Sequence, residues 1–159
     1  MTNRLIREKW AWIEGSNMLR TGLIGQLTDD DLKFNPGGQN TSLGTLLRDF
    51  GNVEYAYVES LKTFKTDFSY CDPNVNLTTS VTALTAWFYS MDNEMKVLVS
   101  EFSDEDLKKP IGRSGDNTMP METQIEVYLQ ALFIFFGKAV IYLRAMDKAL
   151  SPSMQEWIA

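Results

Sequence analysis

Few residue types in this chain could do chemistry. Among 159 residues there is no histidine and there is one cysteine, Cys71. Histidine is the commonest protein ligand for zinc, copper, nickel and non-haem iron, and the usual proton carrier near neutral pH. Histidine-dependent hydrolase and metalloenzyme chemistry is therefore excluded. Cys71 lies in a polar stretch with no histidine to activate it, so we expect an inert thiol.

Carboxylates are the remaining candidates. Glu54 could pair with Asp49 or with Asp92 for general acid–base work or glycoside hydrolysis. Acids at such spacing are ordinary on helices, so their separation in the fold decides whether a pair exists. The acidic runs 29–31 and 104–106 lack the alternating ligands, the glycine and the distal glutamate of an EF-hand loop. We expect no calcium there.

Helical periodicity supplies the elements that would position these groups. Apolar residues recur every three or four positions over four long segments, and there is almost no strand signal. The predicted helices are 3–26, from Thr41 or Ser42 to before a loop at 66–76, 81–102, and 120–150, followed by a short capped tail at 151–157. In the first helix Asn17, Arg20 and Thr21 fall largely off the apolar face. We predict an all-α bundle forming one domain over 1–159.

A short internal repeat divides the chain into two similar halves. Residues 27–33 and 102–108 share an apolar residue, a hydroxyl residue, three acids, leucine and lysine. Each copy follows one long helix and precedes another. The hydroxyl residue and the acid three positions later match a capping box. The pattern indicates two helix-loop-helix halves; two independently capped turns are the alternative.

Charge and composition restrict the partners. The formal net charge is −6, and the pI is near 4.7. An acidic surface repels phosphate backbones, so no nucleic-acid partner is expected. The apolar run 127–143 is interrupted and shorter than the roughly 20 residues that span a bilayer, so we expect a buried helix and no membrane partner. The first ten residues contain no signal-peptide pattern, and a cytoplasmic location is expected.

Two segments carry a resemblance to a known family. The chain resembles the DinB-like family in two neighbouring stretches of its first half. These are Leu27-Thr28-Asp29-Asp30-Asp31-Leu32 and the segment 40–54, which contains Ser42-Leu43-Gly44. The segment 131–146 is similar to that family's fourth helix. The resemblance covers essentially the whole chain. It implies a four-helix bundle and a homodimer, and in many members a divalent metal held by three histidines, some of these proteins being thiol-dependent transferases.

The resemblance also assigns positions. The ligand of the second helix would fall on Asp49, and the two ligands of the fourth helix would fall on Ala131 and Phe135. Asp49 could still bind a hard metal through oxygen, but Ala131 and Phe135 have no donor atoms. A catalytic metal normally needs about three protein ligands. We therefore expect no metal and no cofactor.

The same positions predict a pocket. Its candidate residues are Asp49, Val53, Glu54, Tyr128, Ala131, Phe135 and Tyr142. Phe135 would form either an apolar plug or an apolar wall. A buried carboxylate needs a partner, and the available ones are Lys138, Tyr128, Tyr142 and Arg144. The alternative is that Asp49 and Glu54 lie at the bundle mouth, where they are solvated or bonded to a tyrosine.

Two functions remain. The first is a metal-free module that binds a small apolar molecule or serves a structural or dimerisation role, with exposed aromatic residues such as Trp87 at an interface. The second is a divergent transferase-like enzyme. It would use a metal site rebuilt from carboxylates such as Asp49, Glu54 and Asp92, or no metal. The first is favoured because it needs no residue that the chain lacks.

Overall fold

The computed structural model describes residues 2–158, so the predicted domain of 1–159 extends one residue beyond the described part at each end. Helices dominate, which confirms the all-α prediction. They are α1 (Arg4–Glu8), α2 (Trp10–Gly25), α3 (Leu43–Thr63), α4 (Val81–Glu101), α5 (Met121–Ala145) and α6 (Pro152–Ile158). Three 3₁₀ turns, at Asp31–Lys33, Val75–Thr78 and Asp106–Lys108, lie in the loops.

The long helices α2 to α5 form the bundle. Helix α3 packs against α4 and α5, and α2 packs against the same two helices. The order around the bundle is therefore α2, α4, α3, α5. A single core of leucines, aromatics and methionines fills the space between them. The predicted four-helix arrangement is confirmed.

Capping residues explain several helix starts. The Ser42 hydroxyl accepts a hydrogen bond from the amide of Thr45 at 3.2 Å, and Ser80 does the same for Ala83 at 3.3 Å. Serine at this position satisfies amides that lack an intrahelical partner. Pro120 precedes α5 as its cap residue and does not lie in the first turn. Helix α5 ends at Ala145, earlier than predicted, and Asp147 has a positive φ of 56°.

The predicted helix 3–26 is wrong in one respect, because the chain breaks at Lys9 between α1 and α2. Asn3 fixes the start of α1. Its Oδ1 accepts a hydrogen bond from the amide of Ile6 at 3.0 Å. Its Nδ2 donates to the carbonyls of Val99, at 2.6 Å, and Phe102, at 2.9 Å. This single buried side chain thus joins the start of α1 to the end of α4.

Both copies of the internal repeat form capping boxes, which confirms that prediction. Asp31 accepts from the amide and the hydroxyl of Thr28, and the Asp31 amide donates back to the Thr28 hydroxyl. Ser103 and Asp106 form the same three bonds. Each box begins a single 3₁₀ turn. In each helix-loop-helix half, the same capping interaction therefore begins the turn that follows the first long helix.

A small antiparallel hairpin was not predicted. Strands β1 (Pro110–Gly112) and β2 (Thr118–Pro120) pair with each other. The Gly112 amide donates to the carbonyl of Phe64 at 2.9 Å, and the amide of Thr66 donates to Gly112 at 2.8 Å. The hairpin therefore covers the end of α3. Three-residue strands containing proline and glycine carry no alternating pattern, so the sequence gives no sign of them.

Close packing on α3 depends on two glycines. A Cβ on Gly44 would lie 2.0 Å from the carbonyl oxygen of Thr78. A Cβ on Gly51 would lie 2.1 Å from the ring of Trp87. Trp87 is partly buried against the core. The expectation that Trp87 is exposed is therefore wrong, because Gly51 leaves room for the ring to pack on α3. Its place at an interface stays a prediction.

Helix α5 is long and apolar enough, by length and composition, to cross a membrane, with a mean hydropathy of 1.5. In this structure it is a core helix of the bundle. Tyr128, Leu132 and Phe136 on it are fully buried. The core helix of a soluble bundle meets the same length and composition criteria, so α5 by itself does not indicate a membrane span.

Candidate functional site

A polar and charged cluster crosses the centre of the bundle, with two residues from α2 and one from each of the other long helices. Arg20 on α2 donates to Glu54 on α3 at 2.5 Å and to Asp92 on α4 at 2.6 Å. It also donates to the hydroxyl of Tyr128 on α5 at 3.3 Å. The Tyr128 hydroxyl in turn donates to Asn17 Oδ1 at 2.9 Å. We call these five residues the central cluster.

Burial makes the central cluster unusual. Arg20, Glu54 and Tyr128 are completely buried, and Asn17 is 6% exposed. The Asp92 side chain is 20% exposed, so the cluster reaches the surface at Asp92. The guanidinium also lies over the ring of Phe88, 4.3 Å from its centroid. A buried charge of this kind is stable only when partners surround it.

Burial and charge act in opposite directions on Arg20. Burial lowers its pKa, but Glu54, Tyr128 and Asp92 more than offset this, so the pKa of Arg20 lies above its ordinary value. Burial raises the pKa of Tyr128 well above its ordinary value, which keeps the hydroxyl protonated. Both groups therefore remain hydrogen-bond donors across the physiological pH range.

Glu54 behaves differently. Burial raises its pKa to about 8; Arg20 lowers it, and the neighbouring Asp92 carboxyl raises it again. Two carboxylates beside one guanidinium leave an excess negative charge, which a proton removes. Among the described residues Glu54 Oε1 and Asp92 Oδ1 have no hydrogen-bond partner. The raised pKa of Glu54 keeps its carboxyl group largely protonated at neutral pH, which removes this excess charge.

A groove between α2 and α4 opens onto the central cluster. Its volume is about 380 Å³, and Asn17 and Asp92 belong both to its wall and to the central cluster. The apolar part of the wall is Trp10, Met18 and Tyr89. Among the described residues the buried indole nitrogen of Trp10 has no hydrogen-bond partner. We call this space the α2–α4 groove.

A second groove lies on the opposite side of the bundle, between α3 and α5. Its volume is about 260 Å³. Four of the predicted pocket residues line it: Asp49, Val53, Ala131 and Phe135. The Phe135 ring is stacked on Phe50, with centroids 4.3 Å apart, and only 3% of Phe135 is exposed. Phe135 is thus both part of the core and a wall of this α3–α5 groove.

The other predicted residues lie elsewhere. Glu54 and Tyr128 belong to the central cluster, and the Tyr142 hydroxyl donates to the carbonyl of Thr41 at 2.9 Å. The predicted pocket residues therefore do not form one pocket. Four line the α3–α5 groove, two belong to the central cluster, and Tyr142 makes a structural hydrogen bond. Asp49 is 52% exposed and pairs with Arg48 at 2.9 Å, so it is solvated, while Glu54 is not.

The partners predicted for the buried carboxylate need correction. Of the four proposed, Tyr128 lies beside Glu54 in the central cluster, whereas Lys138 and Arg144 are exposed. Arg20 is the cation that bonds Glu54. The expectation that Arg20 and Asn17 lie off the buried face is wrong, since both are buried on α2.

The residues at the positions that the resemblance assigns to metal ligands do not fit a metal ion. Asp49, Ala131 and Phe135 do line one groove, but a methyl group and a phenyl ring offer no electron pair. The Asp49 carboxylate is engaged by Arg48. Within residues 2–158 there is no group of three or more cysteine, histidine, aspartate or glutamate side chains arranged for a metal.

Comparisons with known proteins identify the fold. No protein-family model and no curated protein matches the chain. Among solved structures, the chain is similar to YjoA, a DinB-like protein of Bacillus subtilis, with a TM-score of 0.67. The two are 11% identical, and the match covers 86% of this chain and 90% of that one. The chain therefore has the DinB-like helical fold.

Proposed function

We propose that this chain is a small-molecule-binding protein that uses the DinB-like fold, with its ligand in the α2–α4 groove. The observation that carries the proposal is that Asn17 and Asp92 belong to both the groove and the central cluster. A ligand in the groove would therefore contact a charged, preorganised network and not an ordinary helix surface.

The composition of the α2–α4 groove supports this proposal. Ligand sites are usually clefts of roughly 300–1,000 Å³ with apolar walls and a few placed polar groups. The α2–α4 groove has a volume of about 380 Å³, and two aromatic residues, a methionine and Asp92 are among the residues that line it.

The α3–α5 groove is a second candidate, for a small apolar ligand. The four predicted residues that line it support this alternative. Its volume of about 260 Å³ is smaller, and Phe135 already packs on Phe50. A binding site there would have fewer polar groups to orient a ligand, so we favour the α2–α4 groove.

An enzyme that uses a metal site of three carboxylates has less support. Asp49 lines the α3–α5 groove, whereas Glu54 and Asp92 meet in the central cluster. Helix α3 separates the two locations. The three carboxylates do not converge on one point, so the rebuilt site would need a different set of ligands.

The test of the proposed function is a screen of small fragments by NMR with the ¹⁵N-labelled protein. Binding to the α2–α4 groove should shift the indole N–H signal of Trp10 and the side-chain amides of Asn17 and Asn93. Shifts confined to α3 and α5 around Val53 and Ala131 would transfer the site to the α3–α5 groove. No shift at either groove would overturn the proposal.

We also propose that the chain forms a homodimer. Ile134 and Ile141 are each 63% exposed and lie seven residues apart on α5, so they share one face of that helix. Exposed apolar residues on one face are typical of an interface. Light scattering after size-exclusion chromatography would give about twice the mass of one chain, and Ile141→Glu would reduce it to one; a wild-type monomer at micromolar concentration would contradict the proposal.

A further inference from the structure

We propose a separate anion-binding site at Arg113, which takes a small monocarboxylate that carries an apolar or aromatic group. Arg113 directly follows β1, so the site lies where the hairpin covers the end of α3. Arg113 is not among the residues that line the α2–α4 groove. Three features support the site: a cation without a counter-charge, an open edge on its guanidinium group and a half-exposed aromatic ring beside it.

Arg113 lacks the counter-charge that comparable cations have. Among the described residues, four lysine or arginine side chains belong to residues that are buried or half-buried. Three of these pair with carboxylates, and they are Arg20, Arg48 and Lys148. The fourth, Arg113, has no carboxylate within ion-pair distance in the described part of the chain. A charge that is partly removed from water without a counter-charge costs free energy, which an anionic ligand would recover.

A buried neutral amide orients the guanidinium group. Arg113 Nη1 donates to Gln124 Oε1 at 2.7 Å, and Gln124 is completely buried on α5. The amide is itself fixed, because its Nε2 donates to the hydroxyl groups of Thr66, at 2.6 Å, and Ser60, at 3.4 Å. Since Gln124 is uncharged, it holds Arg113 in place without cancelling its positive charge.

One edge of the guanidinium group is open to a ligand. The hydrogen bonds of Arg113 within the described chain come from Nη1, which also lies 3.7 Å from the sulfur of Met119. Nε and Nη2 have no partner there, and neither is among the buried unpaired atoms, so both reach solvent. Their N–H bonds lie side by side on the same edge. Two parallel donors of this kind match the two oxygens of a carboxylate.

The aromatic neighbours of Arg113 indicate the apolar group. The guanidinium carbon lies 5.5 Å from the ring centroid of Phe68 and 6.0 Å from that of Tyr57. Tyr57 is buried, whereas Phe68 is 49% exposed. A carboxylate at the open edge would bring its apolar group to the exposed part of the Phe68 ring. Aromatic rings bind each other in edge-to-face or offset arrangements, so an aryl group is suitable.

The charge balance favours a carboxylate over a phosphate. The chain has a net charge of −6, and one guanidinium group balances one negative charge. A phosphate monoester carries about −1.5 to −2 charges at neutral pH, so part of its charge would remain unbalanced beside an acidic protein. A carboxylate carries a single charge. Phenylacetate combines this charge with an aromatic ring, and it is the probe for the site.

The first experiment compares four probes on the wild-type protein by NMR titration, with the Arg113 Nε–H signal and the Gln124 side-chain amide as reporters. Phenylacetamide replaces the carboxylate by a neutral group of the same shape, acetate lacks the ring, and phenyl phosphate carries the larger charge. Phenylacetate should bind at least about tenfold more tightly than phenylacetamide, as expected for hydrogen bonds between charged groups. Acetate and phenyl phosphate should both bind more weakly than phenylacetate.

The second experiment uses matched variants. Gln124→Glu places a carboxylate of nearly the same shape beside Arg113, and the Thr66 hydroxyl can donate to it. This internal counter-charge should reduce the affinity for phenylacetate about tenfold or more. Arg144→Gln is the control, because it changes the net charge by the same amount at an exposed cation on α5 and should leave binding unchanged.

A third variant tests the geometry of the site. Arg113→Lys keeps the charge but removes the paired N–H groups, so it should weaken the binding of phenylacetate more than that of acetate. A purely structural role of Arg113, as a cover over Tyr57, would not produce this difference between two ligands. Because the probes are first compared on the wild-type protein, the inference is testable even if a variant is unstable.

Several outcomes would overturn the inference. If phenylacetamide binds as tightly as phenylacetate, the site does not select an anion. If phenyl phosphate binds more tightly than phenylacetate, the carboxylate class is wrong. If Gln124→Glu leaves the affinity unchanged, or no probe shifts the Arg113 signal at millimolar concentration, Arg113 is not the binding group. None of these results bears on the α2–α4 groove, whose reporters are different residues.

Discussion

Helix α3 presents two acids to opposite sides of the bundle, and they have opposite environments. Glu54 is completely buried and bonded to Arg20, whereas Asp49 is 52% exposed and bonded to its neighbour Arg48. Five residues correspond to a rotation of about 140° around a helix. One acid therefore belongs to the closed central cluster, and the other lies at the open α3–α5 groove.

Spacing in the sequence therefore predicts which face of a helix a residue lies on, but it does not predict whether that face is buried or exposed. Both acids lie on or beside apolar positions of the same helix. What distinguishes them is the facing helix: α2 brings Arg20 to Glu54, whereas Ala131 and Phe135 of α5 face the groove of Asp49. Ion pairs stabilise the central cluster, whereas aromatic stacking packs the wall of the opposite groove. Mutations can test the contribution of each.

The largest effect is expected at Arg20. Arg20→Met removes the cation and leaves the buried Glu54 and the partly exposed Asp92 without it, which should lower the free energy of unfolding by about 3–5 kcal/mol. Urea denaturation monitored by circular dichroism would measure it. Adding Glu54→Gln and Asp92→Asn to this variant should recover part of the loss. A loss below about 1 kcal/mol would mean that the central cluster contributes little to folding.

A somewhat smaller effect is expected on the aromatic side. Phe135→Ala removes a ring stacked on Phe50 and should cost about 3 kcal/mol in the same assay. The matched control is Ile134→Ala, because Ile134 is the preceding residue and is 63% exposed. If both variants lose similar stability, Phe135 is not the core residue that its burial indicates.

The pH dependence of stability separates the two acids. The native pKa of Glu54 is raised from 4.5 to about 8, so its stabilising contribution is complete below pH 4.5 and is lost as the pH rises towards 8. One such proton changes stability by up to about 1.4 kcal/mol per pH unit. Glu54→Gln should therefore flatten the curve between pH 5 and pH 8 in urea denaturation. Parallel curves for the variant and the wild-type protein would contradict the raised pKa of Glu54.

The smallest effect is expected at Asp49. Its carboxylate is exposed and pairs only with a sequence neighbour, and exposed ion pairs contribute little. Asp49→Asn should change the free energy of unfolding by less than about 0.5 kcal/mol at any pH between 5 and 8. A loss comparable with that of the Arg20 variant would remove the contrast between the two sides of α3.

The sequence predicts the fold well because the relevant signals are local. Ser42 caps α3 as predicted, and both capping boxes form. The hairpin after residue 109 was missed because its strands are too short to show a period. The break at Lys9 was also missed, since the residues on either side continue a helical pattern.

The site was predicted only in part. Glu54 and Tyr128 were identified, but Arg20 was not, because an arginine near the edge of an apolar face resembles a solvated one. Its burial depends on carboxylates from α3 and α4, which are 34 and 72 residues away in the chain. Periodicity within one helix contains no information about such contacts.

Asn3 links two helix ends that are far apart in the chain. One amide group both begins α1 and satisfies carbonyls at the end of α4. Fraying of either terminus would expose polar groups of the other, so these two turns should open together as one unit in native-state hydrogen exchange. A bulky N-terminal fusion would therefore loosen not only the first helix but also a part of the protein about one hundred residues away.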